Sequence, residues 1–230
     1  MRSLLTIPIV FGKIVSWVSQ SFGLGAGGTW PGEIALRLNP NILFLLASQL
    51  KKGIILIAGT NGKTTTALMI KQILESNGDS VVLNASGANL DNGIVSALIQ
   101  KSYADWGVFE VDENTLPTIL TSFRPKVIVL LNLFRDQLDR YGEVDVIAEK
   151  WEKAFRGLSG DTTLIANADD PLIAHLGLHA KLQVQFFGIT DKSKFLPKME
   201  HATDSTFCLN CGARLKYDGV YFSHIGIWKC

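Results

Sequence analysis

The sequence lacks any imbalance of charge. Its 22 basic and 21 acidic residues leave a net charge of +1, and no run of lysine and arginine concentrates the positive ones. That removes the electrostatic case for a nucleic acid or an anionic membrane as partner. A clean apolar stretch of the ~20 residues that a membrane span needs is also missing. Residues 1–22 superficially resemble a signal peptide, with Arg2 near the start. Pro8, Lys13, Ser16, Ser19 and Gln20 interrupt them, and no small-residue cleavage site follows cleanly. Residues 10–21 read instead as an amphipathic helix that packs on the domain or on a partner. Internal repeats and low-complexity tracts are absent. Cysteine is scarce: Cys208, Cys211 and Cys230 are the three, all within the last 23 residues. An odd, clustered set with a C-x-x-C pair points to metal rather than disulfides. With no secretion signal, the expected compartment is the cytoplasm.

What is present is an ordinary globular composition. The 230 residues are 47% hydrophobic and 19% charged, enough to bury a core in one good-sized domain, or one plus a small module. Short β-rich apolar runs at 54–58, 80–84, 106–111, 126–132, 162–167 and 184–188 alternate with helical patterns at 64–76, 92–101, 114–122, 143–155 and 170–176. In the first of these helices Leu68, Ile70, Ile73 and Leu74 supply the apolar positions. The run at 126–132 is continuously apolar, as in a strand covered on both faces. Strand–helix alternation of this kind predicts an α/β fold, a mostly parallel sheet with helices on both sides. Ligands of such sheets sit at the carboxyl ends of the strands. The loops after Ala58, Asn84, Val111 and Asn132 are therefore the expected place for chemistry. From residue 206 onward the pattern becomes a small β-rich module.

The loop after Ala58 reads Gly59-Thr60-Asn61-Gly62-Lys63-Thr64-Thr65. Strand, glycine-rich turn, Lys-Thr and helix is an arrangement that binds nucleotide phosphates. Glycines let backbone N–H groups approach, the helix N-terminus adds its positive end, Lys63 pairs with the β/γ-phosphates, and the Thr64 hydroxyl reaches Mg²⁺. A glycine turn without a ligand explains Gly59 and Gly62 but not Lys63 followed by three threonines. One departure from the general G-x-x-x-x-G-K-[ST] rule stands out: Ile57 occupies the position of the first glycine.

That shorter loop resembles the ATP loop of the Mur ligase family, which makes amide bonds at carboxylates by way of an acyl phosphate. Other segments resemble the family as well: residues 25–37, 86–90, Glu110-Val-Asp-Glu113, Asn167-Ala-Asp-Asp-Pro171, and 132–143, where Gln137 stands in place of the family's usual histidine. Together with the cysteines, these are most similar to the branch that amidates lipid II, the isoglutaminyl synthases. The resemblance implies a Mur-type central ATP-binding domain at 51–205, preceded by a helical segment at 1–50. An incomplete zinc ribbon of the four-cysteine kind would occupy 206–230. It implies ATP-dependent amidation of the D-glutamate α-carboxylate in the stem peptide, at the inner face of a bacterial membrane. Ammonia would come from a GatD-type glutaminase partner.

For the site, the resemblance implies ATP held by Gly59, Thr60, Asn61, Gly62, Lys63, Thr64 and Thr65, with Lys63 stabilising the phosphates. Mg²⁺ would be held by Thr64 and Glu110, with Asp112 and Glu113 as fallbacks; a role for Glu110 as a helix cap is the alternative. Asp136 and Asp139 would shape a second metal or substrate site, or a solvated loop. Lys150 and Lys153 lie where many relatives carry a carbamylated lysine, but a plain surface-helix lysine is favoured for either. Structural Zn²⁺ would be held by Cys208, Cys211 and Cys230, 18 residues separating the last two. The fourth ligand and the main catalytic residue are expected beyond Cys230, so the chain reads as a fragment. His224 is the alternative fourth ligand; a place on the ribbon strand away from metal is favoured. Two other functions stay open: a ligase adding an amino acid to a UDP-linked precursor, and a non-catalytic nucleotide-binding zinc-ribbon scaffold. Only about 50 residues precede the loop, few for a separate UDP-sugar domain.

Overall fold

The computed structural model describes residue 10 and residues 29–84, 87–101, 103–134, 144–158, 160–196 and 207–230. The helix expected at 10–21 lies outside them except for Val10, which is helical. The contacts divide the chain into two compact units, one formed by residues 1–58 and 62–127, the other by 59–61 and 128–230.

In the first unit, helices α1 (Trp30–Leu38) and α2 (Ile42–Ala47) precede strand β1 (Gly53–Ala58). Then follow α3 (Lys63–Ser76), β2 (Val81–Leu83), α4 (Asp91–Gln100), β3 (Trp106–Val111) and α5 (Leu116–Ser122). Strands run β2-β3-β1, all parallel, with Ile57 paired to Glu110 and Ala58 to Val111. Residues 54–58 are buried without a break, so both faces of β1 are covered. Helix α1 crosses α4 closely at Gly32, where an added Cβ would lie 1.8 Å from the Asn92 carbonyl oxygen. The expected apolar face of α3 is only half right. Ala67 is buried and Ile70 and Leu74 partly so, whereas Leu68 and Ile73 are exposed, with Met69 beside them. A period of 3.6 puts 67, 70 and 74 on one face and 68, 69 and 73 on another. One helix cannot bury both.

The second unit holds most of β4 (Val127–Leu130), then α6 (Val144–Phe155), β5 (Thr163–Asn167), α7 (Pro171–His179) and β6 (Gln183–Phe187). Its strands neighbour one another in the order β4-β5-β6, and the β5–β6 pair is parallel. Ile128, Val129 and Leu130 are successive and all buried, as the continuous apolar run requires. Helix α6 buries Val144, Ile147, Ala148, Trp151 and Phe155, an i, i+3, i+4, i+7 stripe. Lys150 and Lys153 point from its exposed side.

The final segment is an antiparallel hairpin, β7 (Lys216–Phe222) and β8 (Ile225–Lys229). It is tied to the α/β part of its unit by backbone-directed bonds. Trp228 Nε1 donates to Ala168 O at 2.9 Å, the Gly226 N–H to Asp169 O at 2.9 Å, and the Tyr221 hydroxyl to Ile189 O at 2.7 Å. Among the described residues, no helix is long and apolar enough to cross a membrane.

Candidate nucleotide-binding site and cysteine cluster

Residues 59–65, the expected phosphate loop, follow β1 directly. Gly62 has φ +87° and caps α3, whose 14 residues begin at Lys63; no side chain caps this end. The first-turn N–H groups of such a helix are donors, and its dipole favours an anion in front of them. Gly59 has φ +141°, and an added Cβ would lie 2.9 Å from both N and O of Asn132. Glycine is required there on both counts.

Within the first unit, Thr64 is one residue into α3 and donates from Oγ1 to Glu110 Oε2 at 2.7 Å. Glu110 is 3% exposed and lies inside β3. It caps no helix, since α5 begins at Leu116 with Thr115 as its cap. Its other oxygen, Oε1, is buried with no hydrogen-bond partner among the described residues. A buried carboxylate oxygen left over beside a threonine hydroxyl is the donor set of a hard divalent cation. Glu110 is held by Asn84, 1% exposed. Asn84 Oδ1 accepts from the Glu110 N–H at 2.9 Å, and Nδ2 donates to Glu110 O at 2.9 Å and Ala88 O at 2.7 Å. Asp112 instead organises a turn: Oδ1 accepts from Asn114 N at 3.0 Å, and its carbonyl accepts from Thr115 and Leu116.

Within the second unit, the loop after β4 supports the start of the phosphate loop. Asn132 Oδ1 accepts from Asn61 N at 2.9 Å, its Nδ2 donates to Asn61 O at 3.1 Å, and its carbonyl accepts from Thr60 N at 2.9 Å. Phe134 N donates to Thr60 Oγ1 at 3.0 Å. The end of β5 and the loop after it also hold this segment. Asn167 Nδ2 donates to Leu131 O at 2.8 Å, and Asp170 Oδ2 accepts from Leu133 N at 2.9 Å. Asp170 Oδ1 also caps α7 through Leu172 and Ile173. Asp169 is different: burial raises its pKa above the usual carboxylate value, against a bond from Ile189 N at 2.7 Å.

The sulfurs of Cys208, Cys211 and Cys230 all lie within 4.8 Å of one another, with Cys211 and Cys230 3.4 Å apart. Sulfurs around a tetrahedral zinc are about 3.8 Å apart, given a Zn–S bond of about 2.3 Å. Backbone N–H groups of Asn210 and Cys211 pull the Cys208 thiol below its usual pKa, and the neighbouring thiols push Cys230 up to about 11. Gly212, with φ +69°, makes the tight turn after the pair. His224 is elsewhere. It occupies the turn between β7 and β8 rather than a strand, is fully buried, and pairs through Nε2 with Asp170 Oδ2 at 3.2 Å. It is not a member of the cysteine cluster.

Some expected site residues fall outside the described ones: Asp136, Gln137, Asp139 and Glu143, and Ser86 in the loop after β2. Three polar residues central to the geometry had no assigned role in the sequence: Asn84, Asn132 and Asp170. Their signal was present, since each stands at the carboxyl end of a strand or at a helix cap.

The Mur ligase middle domain family matches residues 57–216. Among curated proteins, the chain is 36% identical to the MurT subunit of lipid II isoglutaminyl synthase (glutamine-hydrolyzing) from Staphylococcus aureus, over 91% of the chain and 48% of that protein. It is 33% identical to the UDP-N-acetylmuramoylalanine--D-glutamate ligase of Koribacter versatilis, over 62% of the chain and 31% of that protein. Among solved structures, a pseudomurein peptide ligase type C from Methanothermus fervidus superposes with a TM-score of 0.60 at 26% identity, covering 81% of the chain and 36% of that structure. The chain thus spans about half the length of the curated MurT proteins it matches. A strand-borne Glu110 on a Lys-Thr helix start, in a segment matched from residue 57 to 216, makes this chain a member of the Mur ligase family through its middle domain.

Proposed function

We propose that the chain is the ATP-binding part of an enzyme that amidates the D-glutamate α-carboxylate of lipid II. The carrying observation is the Thr64–Glu110 pair at the start of α3, beside a carboxylate oxygen with no partner among the described residues. The likeness to MurT over 91% of the chain, against 62% for the D-glutamate ligase, favours amidation over amino-acid addition.

In this reading the α3 N-terminus, the Gly59–Gly62 backbone and Lys63 hold the β- and γ-phosphates. Thr64 and Glu110 would hold Mg²⁺, which supplies positive charge against the triphosphate. The substrate carboxylate oxygen attacks the γ-phosphorus and ADP leaves, giving an acyl phosphate. Ammonia then attacks the carbonyl carbon, phosphate departs, and the nitrogen loses a proton to leave the amide. The activation is needed because a carboxylate is a poor electrophile, and this chain contributes chiefly positioning and charge neutralisation. Ammonia comes from a glutaminase partner of the GatD type, and the work is done at the cytoplasmic face of the membrane. Cys208, Cys211 and Cys230 supply three of the four thiolates of a structural Zn²⁺.

The test is glutamine-driven amidation of lipid II by the complete gene product with its glutaminase, compared with a Lys63→Ala variant. Amidated lipid II formed only with ATP and only by the wild type supports the reading. Turnover of a UDP-linked precursor with a free amino acid, and none of lipid II, would overturn it. Metal analysis of the purified protein should show zinc that Cys208→Ser releases.

A further inference from the structure

The β7–β8 hairpin reaches the 132–134 segment by a hydrogen-bonding side chain, His224, and by an edge-on ring contact of Phe222 with Phe134 at 5.6 Å. His224 is fully buried in the β7–β8 turn, entered through Ser223 at φ +48°. Its Nε2 meets Asp170 Oδ2 at 3.2 Å, and its ring lies 4.7 Å from that of Phe134. Asp170 is fully buried too, and the same Oδ2 accepts from Leu133 N at 2.9 Å. Leu133 sits between Asn132, which brackets Asn61 and accepts from Thr60 N, and Phe134, which donates to Thr60 Oγ1. The path from His224 to Thr60 and Asn61 therefore runs through hydrogen bonds and two adjoining peptide units.

Packing alone does not explain an imidazole here. An Asp170 carboxylate only accepts, so Nε2 must donate. Nδ1 is then left buried with no partner among the described residues. Leucine or phenylalanine would fill the space without that cost. What the imidazole adds is a fourth donor to Asp170, after the N–H groups of Leu133, Leu172 and Ile173.

We propose that His224 is a positioning residue for nucleotide, holding Asp170 so that the 132–134 segment keeps Thr60 and Asn61 in their phosphate-binding arrangement. The hairpin that leads into Cys230 would thereby be a structural support of the ATP loop as well as a means of placing that thiol. This rests on the nucleotide-binding reading of residues 59–65.

The experiment uses the 230-residue chain with MgADP as probe. His224→Leu keeps bulk and loses the donor; His224→Gln keeps a donor at the reach of Nε2. Expected for His224→Leu is a dissociation constant raised about tenfold, shifted Thr60 and Asn61 amide resonances, and unchanged thiol reactivity at Cys208 and Cys211. His224→Gln should restore affinity to within about twofold. In the wild type, the His224 Nε2 proton resonance should move on saturation with MgADP, a readout that does not depend on a variant folding. A leucine variant with wild-type affinity and unshifted loop amides would overturn the proposal, as would a histidine resonance that MgADP leaves in place. A wild-type chain that binds no MgADP would sink the nucleotide reading and this inference together; wild-type binding with either of the former results would sink this inference alone.

Discussion

Asn84 holds Glu110 by both ends of its backbone. The amide oxygen takes the Glu110 N–H and the amide nitrogen gives to the Glu110 carbonyl, each at 2.9 Å. One side chain thus continues the β2–β3 pairing one residue past the end of β2, and fixes the strand position from which the Glu110 carboxylate reaches Thr64.

Replacing Asn84 with leucine keeps the branched shape and takes the side-chain partner from three buried backbone groups, the Glu110 N–H and the Glu110 and Ala88 carbonyls. The expected loss is about 3 kcal/mol of unfolding free energy. Urea denaturation followed by circular dichroism would measure it, and a loss below about 1 kcal/mol would show that water replaces the amide.

Glu110→Gln separates charge from shape. The Thr64 bond survives, because an amide oxygen still accepts, while the charge that a cation needs is gone. Mg²⁺-dependent nucleotide affinity should fall at least about tenfold, with unfolding free energy unchanged or higher. Titrations of nucleotide with and without Mg²⁺ provide the check. Equal losses in both would mean that Glu110 acts only on the fold.

Gly59→Ala puts a Cβ against Asn132 N and O at a φ of +141°. Strain of about 1–3 kcal/mol is expected, together with loss of nucleotide binding as the loop shifts. Gly78→Ala is the control. That residue also has a positive φ, +86°, but an added Cβ meets nothing within 4 Å. It should lose stability of order 1 kcal/mol and keep its nucleotide affinity.

His175 gives the chain a pH dependence of definite sign. Burial, then the positive charge of His179 with its ring 4.1 Å away, lowers its pKa from 6.5, while Glu152 opposes the shift. A depressed histidine favours the folded state in its neutral form. Its contribution is fully present above 6.5 and is lost as pH falls through the lower folded value. Thermal unfolding followed from about pH 8 to pH 5 should decline less steeply for His175→Gln than for the wild type. A parallel decline would assign the acid sensitivity to other groups.

Much of the fold was legible along the chain because its signals are local. The runs at 54–58 and 106–111 become β1 and β3 within a residue, since short apolar, β-branched and aromatic runs bounded by polar turns admit few alternatives, even with Glu110 inside the second. The apolar face of α3 was misjudged at Leu68 and Ile73, because periodicity identifies faces but not the one turned to the sheet. His224 was expected on a strand and lies buried in a turn, 54 residues from the aspartate it meets.

The sequence by itself determined the glycine-rich Lys-Thr loop, the alternation of strand and helix, and the clustering of cysteine, because each is a matter of residue type at short spacing. Only the tertiary structure decided that Glu110 rather than Asp112 meets Thr64, that Asn84 braces Glu110, that Asn132 braces Asn61, and that Asp170 joins the β7–β8 turn to the loop after β4. Those are contacts between residues 26 to 71 positions apart. A hydrogen bond depends on direction within a few tenths of an ångström, and the packing of whole elements sets that direction.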